Sequence, residues 1–321
     1  MEIRPLQEGD RTAYDQLARD HGTLFNTLEW LELFGEGMQV LGLYEESGEL
    51  SGGLAIYQER RWGCRIYRRA PFTPTSGPFL EVKAQNPVAV LEKRRKALEC
   101  MAAYLDRQAP AVCMLPLARD ISDALPFFWR GFKVVPQYTY LLDLAVPWDQ
   151  LWKNMAPDRR NDISKAARDG LTVRLSEDLR EVRDLVLATF SRQDKTLNKA
   201  SLDAVLFRYA KPGNFYAYVT CRDNRPIAAC GVVHDARTAY YVLGGYRSSD
   251  RHHGAGAMAV AEAIRQAQGL GLQTFDFEGS VIPPIERFFR GFGGRLVPYF
   301  TVNKAWFPLE LALKVRRRNM F

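Results

Sequence analysis

Apolar and polar positions along the chain alternate between blocks of period two and blocks of period three to four, and the same order of blocks occurs in both halves. In the first half VLGLY (Val40 to Tyr44) and GLAIYQ (Gly53 to Gln58) flank the turn-rich EESGEL, which predicts a hairpin. Apolar residues at Leu91, Leu98, Met101, Ala102 and Leu105 predict the helix that follows. In the second half FYAYVTC and PIAACGVVH flank RDNR as a further hairpin, and TAYYVLGG adds a strand. Met258, Ala261, Ile264 and Ala267 mark the buried face of a helix over Ala257 to Gln268. Between the halves Pro147 and Pro157 bound a short helix carrying Leu151, Trp152 and Met155. A second helix carries Ile163, Ala166 and Ala167 and closes at Gly170. A third, with Leu179, Val182, Leu185 and Val186 at helical spacing, follows Ser176, which reads as its N-cap.

Both halves are therefore mixed α/β, and one phrase ties them together. FWRGF (Phe128 to Phe132) and FFRGF (Phe288 to Phe292) each lead through a proline and a tyrosine into a strand, YLLDL in one case and FTVN in the other. The shared context predicts two copies of one fold, divided as residues 1–144 and 145–321, with the last segment placed to pack back on the first domain.

Composition narrows the class. With 321 residues, 47% hydrophobic and 25% charged, the chain can bury a core of two-domain size, which excludes a disordered tail or a small disulfide-stapled module. The excess of 44 Lys and Arg over 37 Asp and Glu favours anionic partners, but it is spread thinly and does not by itself imply nucleic acid; DNA is not expected as a partner. Five cysteines without CxxC spacing fit a reduced, cytoplasmic compartment, and no stretch reaches the roughly 18 apolar residues of a membrane span. The basic tail KVRRRNMF is compatible with a membrane surface but reads more simply as a solvated terminus. ERRWGCRIYRR is compatible with RNA contact but reads more simply as a hairpin edge.

Three loci offer chemistry. Arg251-His252-His253-Gly254-Ala255-Gly256 opens the Ala257 helix, where backbone N–H groups and the helix dipole suit a pyrophosphate; the competing reading is a glycine-relieved turn with exposed histidines. In Phe275-Asp276-Phe277-Glu278-Gly279-Ser280 the alternation puts both carboxylates on one face, with Glu278 as a candidate general base or acceptor-orienting residue and Asp276 as a candidate substrate-binding residue, for which the competing reading, a carboxylate binding the loop's own donors, is preferred. Arg159, Arg160 and Lys165 are candidates to clamp an anionic substrate; the two arginines point differently on a helix, so one at most faces a cleft. The four histidines show no metal-ligand spacing, so no metal is expected.

The stretch YTYLLDL with RRNDISKAARDGLTV, and GLGLQTFDFEGSVIPPIERFFRGFGGRLVPY further on, resembles the FemAB-like branch of the GNAT superfamily; FNTLEWLELFG (Phe25 to Gly35) resembles the Trp-containing helix near that family's amino terminus. The resemblance implies tandem GNAT-like domains, each a twisted mixed sheet flanked by helices, and acyl transfer to an amine of a small-molecule or peptide acceptor. Members of this family attach amino acids from aminoacyl-tRNA to peptidoglycan precursor peptides, whereas the 251–256 loop resembles the GNAT pattern that holds the pyrophosphate of acyl-CoA. That loop ranks acyl-CoA as co-substrate ahead of aminoacyl-tRNA. Glu278 is then expected to relay the amine proton and Tyr246 to protonate the leaving group, with Arg159 or Arg160 on an anionic acceptor. A noncatalytic ligand-binding protein of the same fold is the alternative from a different class.

Overall fold

Leu41 and Leu43 on one strand, and Leu54 and Ile56 on the next, turn their alternate side chains into a common core, and the predicted first hairpin forms around them. The computed structural model describes residues 1–192, 197–250 and 252–321. Along the first part run β1 (Glu2–Pro5), α1 (Arg11–His21), α2 (Leu28–Leu31), β2 (Met38–Tyr44), β3 (Leu50–Arg61), β4 (Cys64–Arg68) and β5 (Phe79–Leu80). There follow α3 (Pro87–Gln108), β6 (Val112–Pro116), α4 (Leu125–Trp129) and β7 (Lys133–Asp143). Next come α5 (Trp148–Asn154), α6 (Pro157–Arg168), β8 (Thr172–Leu175), α7 (Leu179–Arg192), α8 (Lys199–Ala204), β9 (Phe215–Arg222) and β10 (Arg225–His234). The chain ends through β11 (Thr238–Tyr246), α9 (Ala255–Gly269), β12 (Thr274–Asp276), α10 (Pro283–Arg290), β13 (Arg295–Ala305) and α11 (Phe307–Arg316).

These elements make two compact units. The first comprises Met1–Gln137 with Pro298–Phe321 and the second Tyr138–Val297. The division differs from the 144/145 boundary expected from sequence, because β7 and β13 each run unbroken from one unit into the other and the helix breaks at Pro147 and Pro157 lie inside the second. The two aromatic–Arg-Gly-Phe phrases head these two strands, each of 11 residues.

In the first unit the strands run in the order β1-β2-β3-β4-β6, with β5 on β3. β4 and β6 are parallel, and the later part of β13 closes on β6 with Thr301 opposite Pro116. α3 starts from Asn86, whose side chain accepts the Ala89 amide, with Pro87 in the first turn. Its Ala97, Leu98, Met101, Ala102 and Leu105 meet Leu43, Ile56, Leu115 and Val302 in the core. Leu91, expected on that face, is exposed, since the burial of α3 starts only at Ala97.

The second unit has the order β7-β12-β11-β10-β9-β8, antiparallel except for β11 and β12. α9 packs on β9 and β10, and α7 packs on β10 and β11. Both are the predicted helices: Ala261, Ile264 and Ala267 of α9 are buried, as are Val182, Leu185 and Val186 of α7. The start of α7 differs from expectation. Asp178, not Ser176, receives the Arg180 amide (3.0 Å), while Ser176 Oγ donates back to the Asp178 carbonyl (3.0 Å) and tightens the preceding turn. The aromatic core gathers Phe277 against Phe292 (5.3 Å between centroids) and Phe289 (5.6 Å).

Phe292 and its counterpart Phe132 are both buried, whereas Phe128, at the position of Phe288, stands in solvent. Phe292→Ala is expected to lower the unfolding free energy by about 3–5 kcal/mol, and Phe128→Ala to change it by less than about 0.5 kcal/mol, both read from urea titrations.

Candidate active site

The parallel pair β11 and β12 is bonded for only three residues, ending with Tyr240 opposite Asp276. β11 then continues to Tyr246 while the chain after β12 turns away, so the two strands fork. Phe277 still donates its amide to the Tyr140 carbonyl on β7 (3.1 Å), after which Glu278 and Gly279 both take left-handed backbone (φ 58° and 64°). A glutamate there is strained, and side-chain bonding has to hold it. Asp276 does so: its buried Oδ1 accepts the Glu278 amide (3.0 Å) and the Thr139 hydroxyl (2.6 Å). Asp276 therefore positions the turn, and Glu278, half-buried, sits at the root of the fork.

A phenol that sequence reasoning missed stands next to this turn. Tyr140 donates to Glu286 Oε1 of α10 (2.5 Å). Burial first, and then this bond, pushes its pKa up to about 12, so it stays protonated at neutral pH.

The second locus is the start of α9. Arg251 lies outside the described residues. His252 accepts the Gly254 amide at Nδ1 (3.1 Å), and its carbonyl accepts the Ala255 amide (3.2 Å). With Nδ1 an acceptor, Nε2 carries the proton, which it donates to Asp169 Oδ2 just beyond α6 (3.0 Å). Gly254 is buried against α6: a Cβ there would stand 2.0 Å from the Asp162 carbonyl oxygen, so glycine is required by helix contact. His253 is exposed, Ala255 is buried with its carbonyl bound by Thr220 Oγ1 (2.8 Å), and the nearest neighbour of a Cβ on Gly256 is the Phe288 ring at 3.9 Å.

The basic residues of α6 separate. Arg159 is turned inward: Nη1 meets Asp162 (3.1 Å), Nη2 donates to the Phe288 carbonyl (3.3 Å), and the guanidinium lies over the Phe288 and Phe292 rings (4.4 and 5.2 Å). Burial lowers its pKa, and Asp162 opposes that shift. Arg160 is half-buried, with Nε enclosed and without a hydrogen-bond partner, and Lys165 is exposed.

Tyr246 packs with Ala166, Leu171, Ile227, Ala228 and Ala255 at the far end of β11. It is six residues, roughly 20 Å along the strand, beyond the last position paired with β12. The structure thus brings Asp276 and Glu278 together and places Tyr246 beside the α9 loop. Cys113, Cys221 and Cys230 are buried, and burial raises each thiol pKa away from nucleophilic use. The partners that decide these roles, Thr139, Asp169, Phe288 and Glu286, are 83 to 146 residues away from the groups they hold, and no local pattern announces them.

Residues 157–289 match the acetyltransferase (GNAT) domain family. No curated protein matches the sequence at a significant level. Among solved structures, FemX superposes with a TM-score of 0.65 at 13% identity, covering 94% of this chain and 97% of that one. The C-terminal domain (DUF2156) of a putative lysylphosphatidylglycerol synthetase from Agrobacterium fabrum gives 0.60 at 14% identity, covering 95% of each. A tandem GNAT protein from the clavulanic acid biosynthesis pathway gives 0.50 at 12%, covering 94% and 96%. The chain has a FemX-like acyltransferase fold of mixed α/β architecture, consistent with tandem GNAT-like lobes. The match of residues 157–289 to the acetyltransferase (GNAT) domain supports acyltransferase chemistry on this fold.

Two outcomes test the α6–α9 junction. Gly254→Ala should cost about 1–3 kcal/mol by overpacking, measured by chemical denaturation. The His252 hydrogen bond, with help from the Lys165 charge, holds the Asp169 carboxyl below its ordinary value. A depressed carboxyl contributes stability above its unfolded pKa of about 3.9, and that contribution is lost as pH falls through the folded value. Asp169→Asn should therefore lower Tm near about pH 6, and the difference from the parent should shrink as pH falls below the ordinary aspartate value of about 3.9.

Proposed function

We propose that the protein is a FemAB-like aminoacyltransferase that moves the acyl group of an aminoacyl-tRNA to the amine of a cell-envelope peptide. The observation that carries this over acyl-CoA is the use of the α9 loop amides. A CoA pyrophosphate needs free donors at the helix start, yet the Gly254 and Ala255 amides are both bonded to His252 and Gly254 is packed on α6. The likeness to FemX and to the lysylphosphatidylglycerol synthetase domain supports the same choice. The GNAT domain match is what favours the second reading, transfer from acyl-CoA, for which His252, His253, Gly254, Ala255 and Gly256 with Arg251 would form the phosphate loop.

The reaction asks little of the protein beyond proton handling and placement. The amine nitrogen attacks the ester carbonyl carbon, forming the N–C bond, and Glu278 takes the proton that the nitrogen sheds. Collapse of the tetrahedral adduct breaks the bond to the ribose oxygen, which receives the proton held by Glu278. Asp276 keeps the Glu278 turn in place. Arg160 is the α6 cation available to an anionic acceptor, since Arg159 is committed to Asp162 and the two phenyl rings, and Lys165 adds charge at the exposed side.

The deciding experiment compares donors. Charged tRNA should be retained with steep salt dependence and should yield an acylated amine, while acetyl-CoA should give no calorimetric heat. Glu278→Gln should reduce kcat/KM by about 10²- to 10⁴-fold and flatten its acid limb. Acetyl-CoA binding with turnover would establish the second reading, and ligand binding without any acylated product would show a noncatalytic protein.

A further inference from the structure

The end of the first unit is not built like a frayed terminus. The Trp306 amide at the start of α11 donates to the Ala111 carbonyl (3.1 Å). Beyond the helix, Asn303 Nδ2 donates to the Met320 carbonyl (2.7 Å), Lys133 Nζ to the Arg318 carbonyl (3.3 Å), and Phe321 is buried. The helix is pinned at both ends, yet none of its residues is buried. Phe307, Leu311 and Val315 follow one another at i, i+4 and i+8 and form a ridge, with 76%, 51% and 89% of their surface exposed. Trp306 and Leu309 are exposed beside them.

The ridge is accompanied by positive charge. Lys314, Arg316, Arg317 and Arg318 are all exposed, against the one carboxylate of Glu310, which Lys314 already meets at 2.8 Å. Lys304 Nζ donates to the Arg130 carbonyl (2.7 Å), which brings the end of α4 beside the strand leading into α11. α4 and the turn after it add exposed Leu125, Phe128, Trp129 and Arg130.

The chemistry of the surface selects its occupant. A second copy meeting this helix with its own would set four cations against four cations. A nucleic acid would neutralise the arginines but leave Leu311 and Val315 in water. An anionic bilayer satisfies both, with lipid phosphates on the Lys and Arg heads, the aliphatic ridge at the acyl boundary and the tryptophans at the interface. At 10 residues α11 is about 15 Å long, half of a hydrocarbon core, so it lies in the membrane plane. We infer that α11, with the exposed end of α4, is a docking surface for anionic phospholipid membranes, independent of which acyl donor the second unit uses.

Co-sedimentation of the full chain with vesicles tests this. Binding is expected to phosphatidylcholine–phosphatidylglycerol vesicles and to fall sharply on phosphatidylcholine alone. Phe307→Ser with Val315→Ser should lower the partition coefficient at least about ten-fold. Arg316→Gln, Arg317→Gln and Arg318→Gln together should lower it about a hundred-fold at low salt, with unchanged Tm in both variants. Quenching of the parent protein's tryptophan emission by brominated phospholipid in mixed vesicles gives the same answer without any substitution. No sedimentation with either vesicle overturns the inference, as does binding that the Phe307 and Val315 changes leave intact. So does a dimer in sedimentation equilibrium that Val315→Glu dissociates while vesicles bind nothing.

Discussion

A buried carboxylate holds the candidate site together. Asp276 has given up water, and a carboxylate in that position is tolerated only when hydrogen bonds replace its hydration. It obtains them from the Thr139 hydroxyl on β7 and from the Glu278 amide in the turn it stabilises. That second bond is what keeps a glutamate in left-handed backbone at the point where β11 and β12 part. The strained turn and the placement of Glu278 thus lean on one buried carboxylate.

Around that turn the unit spends much of its polar capital on structure. Arg159 joins α6 to α10 through a carbonyl and two aromatic faces, and a guanidinium so enclosed is held by packing as much as by charge. His252 links the end of α6 to the start of α9 through Asp169 on one nitrogen and the Gly254 amide on the other. Gly254 permits that approach because any side chain would strike the Asp162 carbonyl. Two amides at the start of α9, those of Gly254 and Ala255, are thus bonded within the chain itself, to His252.

The two units carry different features. The second carries the fork, the oriented carboxylates and the GNAT domain match. The first carries a pinned C-terminal helix with an apolar ridge among arginines.

The sequence by itself determined what depends on neighbours along the chain. Alternation set the hairpins at Val40 and Phe215, helical spacing set the faces of α7 and α9, and the repeated aromatic phrase announced the two long strands. It offered Asp276 both as a substrate contact and as a carboxylate bound to its own loop, and the Glu278 amide that it accepts is only two residues away. What only the tertiary structure decided are the roles set by distant partners. Arg159 reads as a substrate clamp until Phe288, 129 residues away, encloses it. Gly254 reads as a phosphate cradle until α6 lies across it. Tyr246 is a lone tyrosine in the sequence until the fold packs it against Ala166, Leu171 and Ala255. Local spacing encodes backbone periodicity, whereas the environment of a polar group is fixed by whichever residue the fold brings against it, and that choice has no signature in the letters nearby.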